Sequence, residues 1–368
     1  MIVNSGSLDA NAVLMKDIDL SELGEEYTWT PIGNWSSNGI AYKGHFDGQG
    51  HTISNFTSSA DQNFFGLFGV ISDNVVIENF NIYGDITSAY QYQGSVAGYA
   101  RDNNLTVRNI HSYVNVTNTS VGGRAGGILG CAMDGSTHVE KCTYSGTLDG
   151  YDDGNGGNYG GIVGYTNNST NAVCDITDCL FDGKLINTVA VPGNCTFGGM
   201  VGYTNSSLVT IKNCLSIGTV ESARYAQFFG ALNGTNSKIY NSYYKGDYIN
   251  GTSSGQKANP QEAILVTDEQ LASGEICYKL NGDAEVPAWY QTLTGEDNDL
   301  YPVLDPTHKV VLYDGTNGYY NEGDEDPDGI ETVNVNVNDN IIYNLSGQRM
   351  SKLQKGINIV NGKKIAIK

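Results

Sequence analysis

Asp152-Asp153 is the only adjacent aspartate pair in this chain, and two carboxylates are the minimal apparatus for general acid–base or glycosidic chemistry. The pair lies in the stretch 149–159, which apart from Asp149 is otherwise Gly, Asn and Tyr, and no Gly-His-Gly or Arg-x-Lys pattern accompanies it. A solvated loop tip is therefore expected. The five histidines, at 45, 51, 111, 138 and 308, form no His-Glu-x-x-His, so the helix-borne zinc site of a metalloprotease is missing. Asp324-x-Asp326-x-Asp328-Gly329 opens like a calcium loop. Val335 stands where the closing bidentate acid belongs, and Pro327 interrupts the run, so it reads as an acidic spacer. These patterns imply no metal and no cofactor, and they point to a noncatalytic chain.

Cysteine and tyrosine are the remaining candidates. Seven cysteines make an odd total without Cys-x-x-Cys spacing, which argues against a disulfide framework or a zinc site. Cys142, Cys179 and Cys214 recur at intervals of 37 and 35 residues, in positions taken by Phe80 and Ile110 elsewhere. They are expected to act as small hydrophobes in a core column. Tyr99, Tyr165 and Tyr203 each follow the closing Gly of a recurring tetrapeptide, with Tyr90, Tyr92, Tyr151 and Tyr159 in the adjoining loops. Aromatic ridges beside Asn and Asp can stack sugars or anchor a protein partner. The candidate ligand-binding set is Tyr99, Tyr165, Tyr203, Tyr151, Tyr159, Asp152 and Asp153. The alternative is an ordinary Tyr ladder in a strand wall, because aromatic residues favour strands in any case.

The elements that would position these residues are written as a repeat. The tetrapeptide appears as Gly66-Leu67-Phe68-Gly69, Ser95-Val96-Ala97-Gly98, Gly127-Ile128-Leu129-Gly130, Gly161-Ile162-Val163-Gly164, Gly199-Met200-Val201-Gly202 and Gly230-Ala231-Leu232-Asn233, at intervals of 29, 32, 34, 38 and 31 residues. A second column runs Ile77, Val107, Val139, Ile176, Ile211, Ile239, and a third, three residues on, runs Phe80, Ile110, Cys142, Cys179, Cys214, Ser242. A flat strand alternates its faces, so residues three apart point inward together only if the chain turns between them. The intervening residues are Asn79, Asn109, Lys141, Asp178, Asn213 and Asn241, mostly types that tolerate a left-handed backbone. Each copy closes on a Gly-x-hydrophobic step, Gly84-x-Ile86, Gly146-x-Leu148, Gly183-x-Leu185, Gly218-x-Val220 and Gly246-x-Tyr248, with Val114-x-Val116 in the second. Three short strands per winding, cornered and stacked about 4.8 Å apart, predict an all-β, right-handed parallel β-helix. An earlier winding is expected in residues 46–56, with Ile53, Asn55 and Phe56 in the three columns, making about seven coils. One coil of 30-odd residues cannot offset its backbone entropy of roughly 1–2 kcal/mol per residue, so stacking is what stabilises it.

Of 368 residues 47 are Gly, which suits a chain with many corners, and the formal charge is −20. That balance argues against nucleic acid and anionic membrane as partners, and no apolar run is long enough for a transmembrane segment. Met1 leads straight into strand-like sequence, as expected of a chain from which an export signal has been removed.

The Gly-Leu-Phe-Gly, Gly-Ile-Val-Gly and Gly-Met-Val-Gly copies follow Trp29-Thr30-Pro31-Ile32-Gly33 and Phe46-Asp47-Gly48-Gln49-Gly50-His51. With that lead-in, residues 10–250 resemble GLUG-motif proteins, secreted or surface proteins of bacteria whose motif also occurs in immunoglobulin A1 protease-like polypeptides. The segments 267–313 and 341–368 resemble those that follow such repeats in Bacteroides-type surface proteins, the latter being similar to sorting or anchoring modules. The expected organisation is a β-helix over 1–260, then a capping segment over 261–320 with a helix from Asp268 to Leu280. An acidic linker over 321–330 and a small β module over 331–368 follow. The resemblance implies an exported, cell-surface protein, adhesin-like, binding a host glycan, host surface protein or immunoglobulin. Its alternatives are the recognition region of a protease-like system or a glycan-processing enzyme.

Overall fold

The computed structural model describes residues 8–24, 27–34, 41–58, 63–152, 156–167, 172–190, 195–221, 225–234, 236–247, 258–316, 318–324, 342–360 and 363–367. The chain divides into two compact units, Met1–Thr267 and Asp268–Lys368.

The first unit is a parallel β-solenoid whose strands form three sheets. One six-stranded sheet stacks Phe64–Phe65, Tyr92–Gly94, Arg124–Gly126, Asn158–Gly160, Thr196–Gly198 and Tyr225–Ala226. The tetrapeptide step leads into a second, of Phe68–Ser72, Ala97–Arg101, Leu129–Met133, Val163–Asn167, Val201–Asn205 and Phe229–Asn233. A 16-stranded sheet takes up the long strands, beginning with His45–Ser58, Val76–Ser88 and Leu105–Asn118. Six windings contain all three sheets. The seventh is interrupted: Ile32 and Tyr42 bridge Phe68 and Ile71 on either side of residues 33–41.

Registry is what the repeat demands. Ile77, Val107, Val139, Ile176, Ile211 and Ile239 pair in sequence, and all six are fully buried in one hydrophobic shaft. The corner between this column and the next is real. Asn79, Asn109, Lys141, Asp178, Asn213 and Asn241 all have positive φ, between 39° and 63°. The amides stack as well, Asn109 Nδ2 donating to Asn79 Oδ1 (2.8 Å) and Asn241 Nδ2 to Asn213 Oδ1 (3.0 Å). The earliest winding departs from the expected alignment. Phe46, not Ile53, pairs with Ile77, and His51 pairs with Phe80, while Ile53 meets Ile82. Residues 48–50 stand opposite Asn79 alone, two more than the corner takes elsewhere, and Gln49, at φ 52°, makes the turn there.

In the second unit, the single helix expected over 268–280 is two: α1 (Asp268–Ala272) and α2 (Glu275–Asn281). Gly274 breaks them apart at φ 86°, a left-handed value incompatible with helix continuation. Asn281 then fixes the following chain, its Oδ1 accepting from the amides of Ala288 and Trp289 while its Nδ2 donates to the Trp289 carbonyl. Trp289 is fully buried. Further on, Ile342–Asn344, Arg349–Met350, Gly356–Val360 and Lys363–Ile367 form an antiparallel sheet around Ile342, Val360 and Ile365. Gly356–Val360 and Lys363–Ile367 are thus two strands, paired antiparallel. The start of the small β module expected over 331–368, with Val335, and most of the acidic linker, including Asp326 and Asp328, lie outside the described residues.

Candidate functional site: an aromatic groove beside the glycine step

The glycines of the step decide where the outer surface folds inward. A Cβ on Gly98 would lie 2.4 Å from the Phe65 nitrogen, and one on Gly130 2.6 Å from the Gln93 nitrogen. Gly164 and Gly202 stand equally close to the backbones of Ala125 and Tyr159. Glycine lets the two short sheets touch backbone to backbone there, a contact no side chain would permit. The outer faces of the two sheets are consequently turned toward each other, and their side chains meet across a re-entrant corner.

One wall of this corner is Phe64, Tyr92, Arg124, Asn158 and Thr196, each two residues before the strand's last glycine or its equivalent. The other is Val70, Tyr99, Cys131, Tyr165, Tyr203 and Ala231. The tyrosines expected on one wall are therefore in register. They are not, however, an open ridge: Tyr99 and Tyr165 are only 8% and 6% exposed, and Tyr203 is half-buried. Tyr99 packs edge-on to Phe64 (5.1 Å) and Tyr92 (5.3 Å), and Tyr165 stacks face to face on Tyr203 (5.7 Å, 5°). The Arg124 guanidinium lies 4.1 Å from the Tyr165 ring centre and 5.3 Å from that of Tyr92, whose hydroxyl accepts from Nη1 (2.5 Å). Such stacking holds a guanidinium by its face and leaves its edge for hydrogen bonds. Along the rim, Asn205 Nδ2 donates to Asn167 Oδ1 (2.9 Å) and Asn233 Nδ2 to Asn205 Oδ1 (3.0 Å). Burial pushes the phenols of Tyr92, Tyr99 and Tyr165 above their ordinary range, so all three are neutral hydrogen-bonding groups at physiological pH.

Two other tyrosine expectations fare differently. Tyr159 is not in a loop. It alternates inward between Asn158 and Gly160, is fully buried, packs on Phe197 (4.8 Å) and donates its hydroxyl proton to the Tyr151 carbonyl (2.8 Å). It therefore belongs to the core and cannot meet a ligand. Tyr151 is half-buried in the strand Thr147–Asp152, away from the groove rows. Asp152 is placed by backbone only, at the end of that strand, and its side chain and Asp153 lie outside the described residues.

Sequence reasoning passed over Arg124 as a groove residue and left Tyr92 in a loop. Counting two residues back from Gly94, Gly126, Gly160 and Gly198 would have exposed the row. It also missed Tyr83 and Tyr113, exposed and stacked 4.4 Å apart on the 16-stranded sheet. A hollow of about 210 Å³ lined by Leu20, Tyr27, Trp29, Asn55 and Thr57 was likewise unforeseen.

Against known proteins, no family model matches the chain. A crystal structure of a candidate immunoglobulin A1 protease from Bacteroides ovatus superposes with TM-score 0.57 over 81% of this chain and 86% of that one, at 18% identity. The two share a fold. Among curated sequences, a candidate Gly-rich membrane protein of Evansella cellulosilytica is 37% identical over 75 residues, 20% of this chain and 8% of its own length. Halomucin of Haloquadratum walsbyi is 33% identical over 150 residues, 38% of this chain. The chain spans only 2% of halomucin's length.

Among the described residues, no three of His, Cys, Asp and Glu converge as a metal site would require, and no helix is long and apolar enough to cross a membrane. The groove offers ring faces, amides and one guanidinium. Its chemistry is stacking and hydrogen bonding.

Proposed function

We propose that this β-solenoid is a noncatalytic, surface-associated recognition protein that binds a glycan along the Arg124–Tyr203 groove. The carrying observation is the meeting of Tyr92, Arg124, Tyr165 and Tyr203 in one corner beside an asparagine ladder. Rings bind the apolar faces of sugars, and amides and a guanidinium bind their hydroxyls. The likeness to a membrane protein and to halomucin supports a place at the cell surface, and the GLUG-like lead-in supports export. A glycan array probed with wild type and with Tyr203→Ala tests the reading. Binding that the variant loses by about tenfold supports it. A blank array, or binding indifferent to Tyr203, refutes it.

The Bacteroides ovatus likeness favours a second reading, in which the solenoid recognises an immunoglobulin for a protease-like system. Capture of purified immunoglobulin A, unaffected by competing sugars, would replace the glycan reading with this one.

A further inference from the structure

We propose that the groove selects sugars bearing a carboxylate, and that Arg124 is the residue that reads the charge. The proposal deepens the recognition reading above and rests on it.

The two groove rows differ in charge from the rest of the chain, although Asp134 beside them acts on Tyr99 and Cys131. Acids outnumber bases by 40 to 20 overall, yet neither groove row contains an aspartate or a glutamate. Arg124 is the one cation in those rows, and among the described residues it forms no ion pair. By contrast, Arg101 pairs with Asp102 and Arg108 with Glu78. Arg124 Nε is buried without a hydrogen-bond partner, and Tyr92 takes only one Nη1 hydrogen. The Nη2 donors have no described protein acceptor.

The two tyrosine rings hold the guanidinium plane, so little side-chain freedom is left to lose when an anion arrives. Nη2 and the second Nη1 hydrogen make the outer edge of a planar fork that matches the two oxygens of a carboxylate, while the buried Nε lies out of a ligand's reach. The half-buried Tyr203 ring and the Asn167–Asn205–Asn233 ladder lie farther along the same corner, where the uncharged part of a sugar would rest. A carboxylate alone would use Arg124 and leave those rings idle. A neutral sugar would use the rings and leave the guanidinium without a counter-charge. An acidic sugar uses both.

The test titrates the purified chain with matched probes, sialyllactose against lactose and glucuronic acid against glucose, at low and at high salt. The acidic member of a pair is expected to bind about tenfold more tightly, with the preference shrinking in salt. Arg124→Gln should abolish the preference, weakening the acidic member by about tenfold and the neutral member, which loses only a hydroxyl contact, by less. Tyr203→Ala should weaken both members equally. Arg124→Lys, which keeps the charge but not the fork, should retain only part of the preference and provides the readout if the Gln variant fails to fold. Equal affinities within each pair, or a preference that survives in both Arg124 variants, overturns the charge-reading role while the groove still binds sugar. If no sugar of either kind binds, the recognition reading itself falls, and this proposal with it.

Discussion

Lys141 stands at φ 50° in a corner column otherwise made of Asn and Asp, and it interrupts the amide stack above Asn109. A left-handed backbone costs an ordinary L-residue roughly 1–2 kcal/mol, and Asn less because its short amide bonds locally. Lys141→Asn is therefore expected to stabilise the solenoid by about 0.5–1 kcal/mol, and Asn213→Ala to destabilise it by about 1–2 kcal/mol, as measured by urea denaturation. A Lys141→Asn protein no more stable than wild type would show that the column is not limited by backbone conformation. At the lead-in corner Asp47 performs the corresponding task, its carboxylate accepting from Asn79 Nδ2 (3.0 Å) and the Gln49 amide (2.8 Å). The Asn79 bond first, then the Gln49 amide, hold its pKa below the ordinary 3.8. Depression in the folded state means the contribution is complete above the unfolded value and is lost as pH falls below about 4 toward the folded value. Asp47→Asn should flatten that acid limb of the stability profile, and an unchanged limb would assign acid sensitivity elsewhere. The corner was legible in sequence because a run of Asn between two buried columns has one conformational explanation. In residues 46–56 the same logic failed, since the longer corner Gly48-Gln49-Gly50 let Gln49 take the turn while Asn55 offered a decoy with its own positive φ.

At the scale of the element, the columns that repeat are those a one-dimensional stack can use. Cys142, Cys179 and Cys214 occupy one inward row, with the Cys179 amide donating to Cys214 Sγ (3.4 Å), and all seven cysteines are buried and reduced. Burial raises the thiols of Cys174, Cys179 and Cys214, that of Cys174 to about 12, so no reactive thiolate is presented. A thiol reagent at pH 8 should label none in the native protein and all seven after unfolding without reductant; fewer than seven would mean disulfides. The helix expectation shows where periodicity runs out. Residues 268–280 carry a helical pattern, but Gly274 takes φ 86°, and a Cβ there would lie 2.8 Å from Leu293 Cδ1. Helix propensity alone predicts that Gly274→Ala stabilises. The structure predicts a loss of about 1–2 kcal/mol, read from the thermal midpoint, because the strained φ and the crowding by Leu293 and Val311 both oppose a methyl group. Neither constraint is local in sequence, so neither could be read there.

Across the whole solenoid, the groove was harder to read than the shaft for the same reason. Ile77 and its successors announce burial by their type, whereas Arg124 becomes a groove residue only because Gly98, Gly130 and Gly164 pinch two sheets together, which sequence alone does not reveal. Tyr159 erred in the opposite direction: a Gly- and Asn-rich neighbourhood suggested a loop, but the strand's two-residue alternation sends the ring inward. Charge follows the stacking too. Glu78 pairs in register with Arg108, its Oε2 accepting from Arg108 Nε at 2.6 Å, so a vertical neighbour of opposite sign offsets some of the self-repulsion of an acidic chain. If each winding interacts only with its neighbours, removing a whole one should preserve the fold, and removing half of one should destroy it. Deleting residues 127–160 joins Gly126 to Gly161 and brings Ala97–Arg101 against Val163–Asn167, with Tyr99 opposite Tyr165 and Val107 opposite Ile176 in the existing registers. The shortened protein is expected to keep its strand circular dichroism per residue and to melt several degrees lower, having lost one winding's buried side chains at about 1.5–3 kcal/mol each against the backbone entropy of the same residues. Deleting 144–160 instead leaves the inward columns out of phase, and its product should be unfolded or aggregated. If both deletions unfold alike, the solenoid is a single cooperative body rather than a sum of neighbouring coils; if both fold, vertical registry is not what stabilises it.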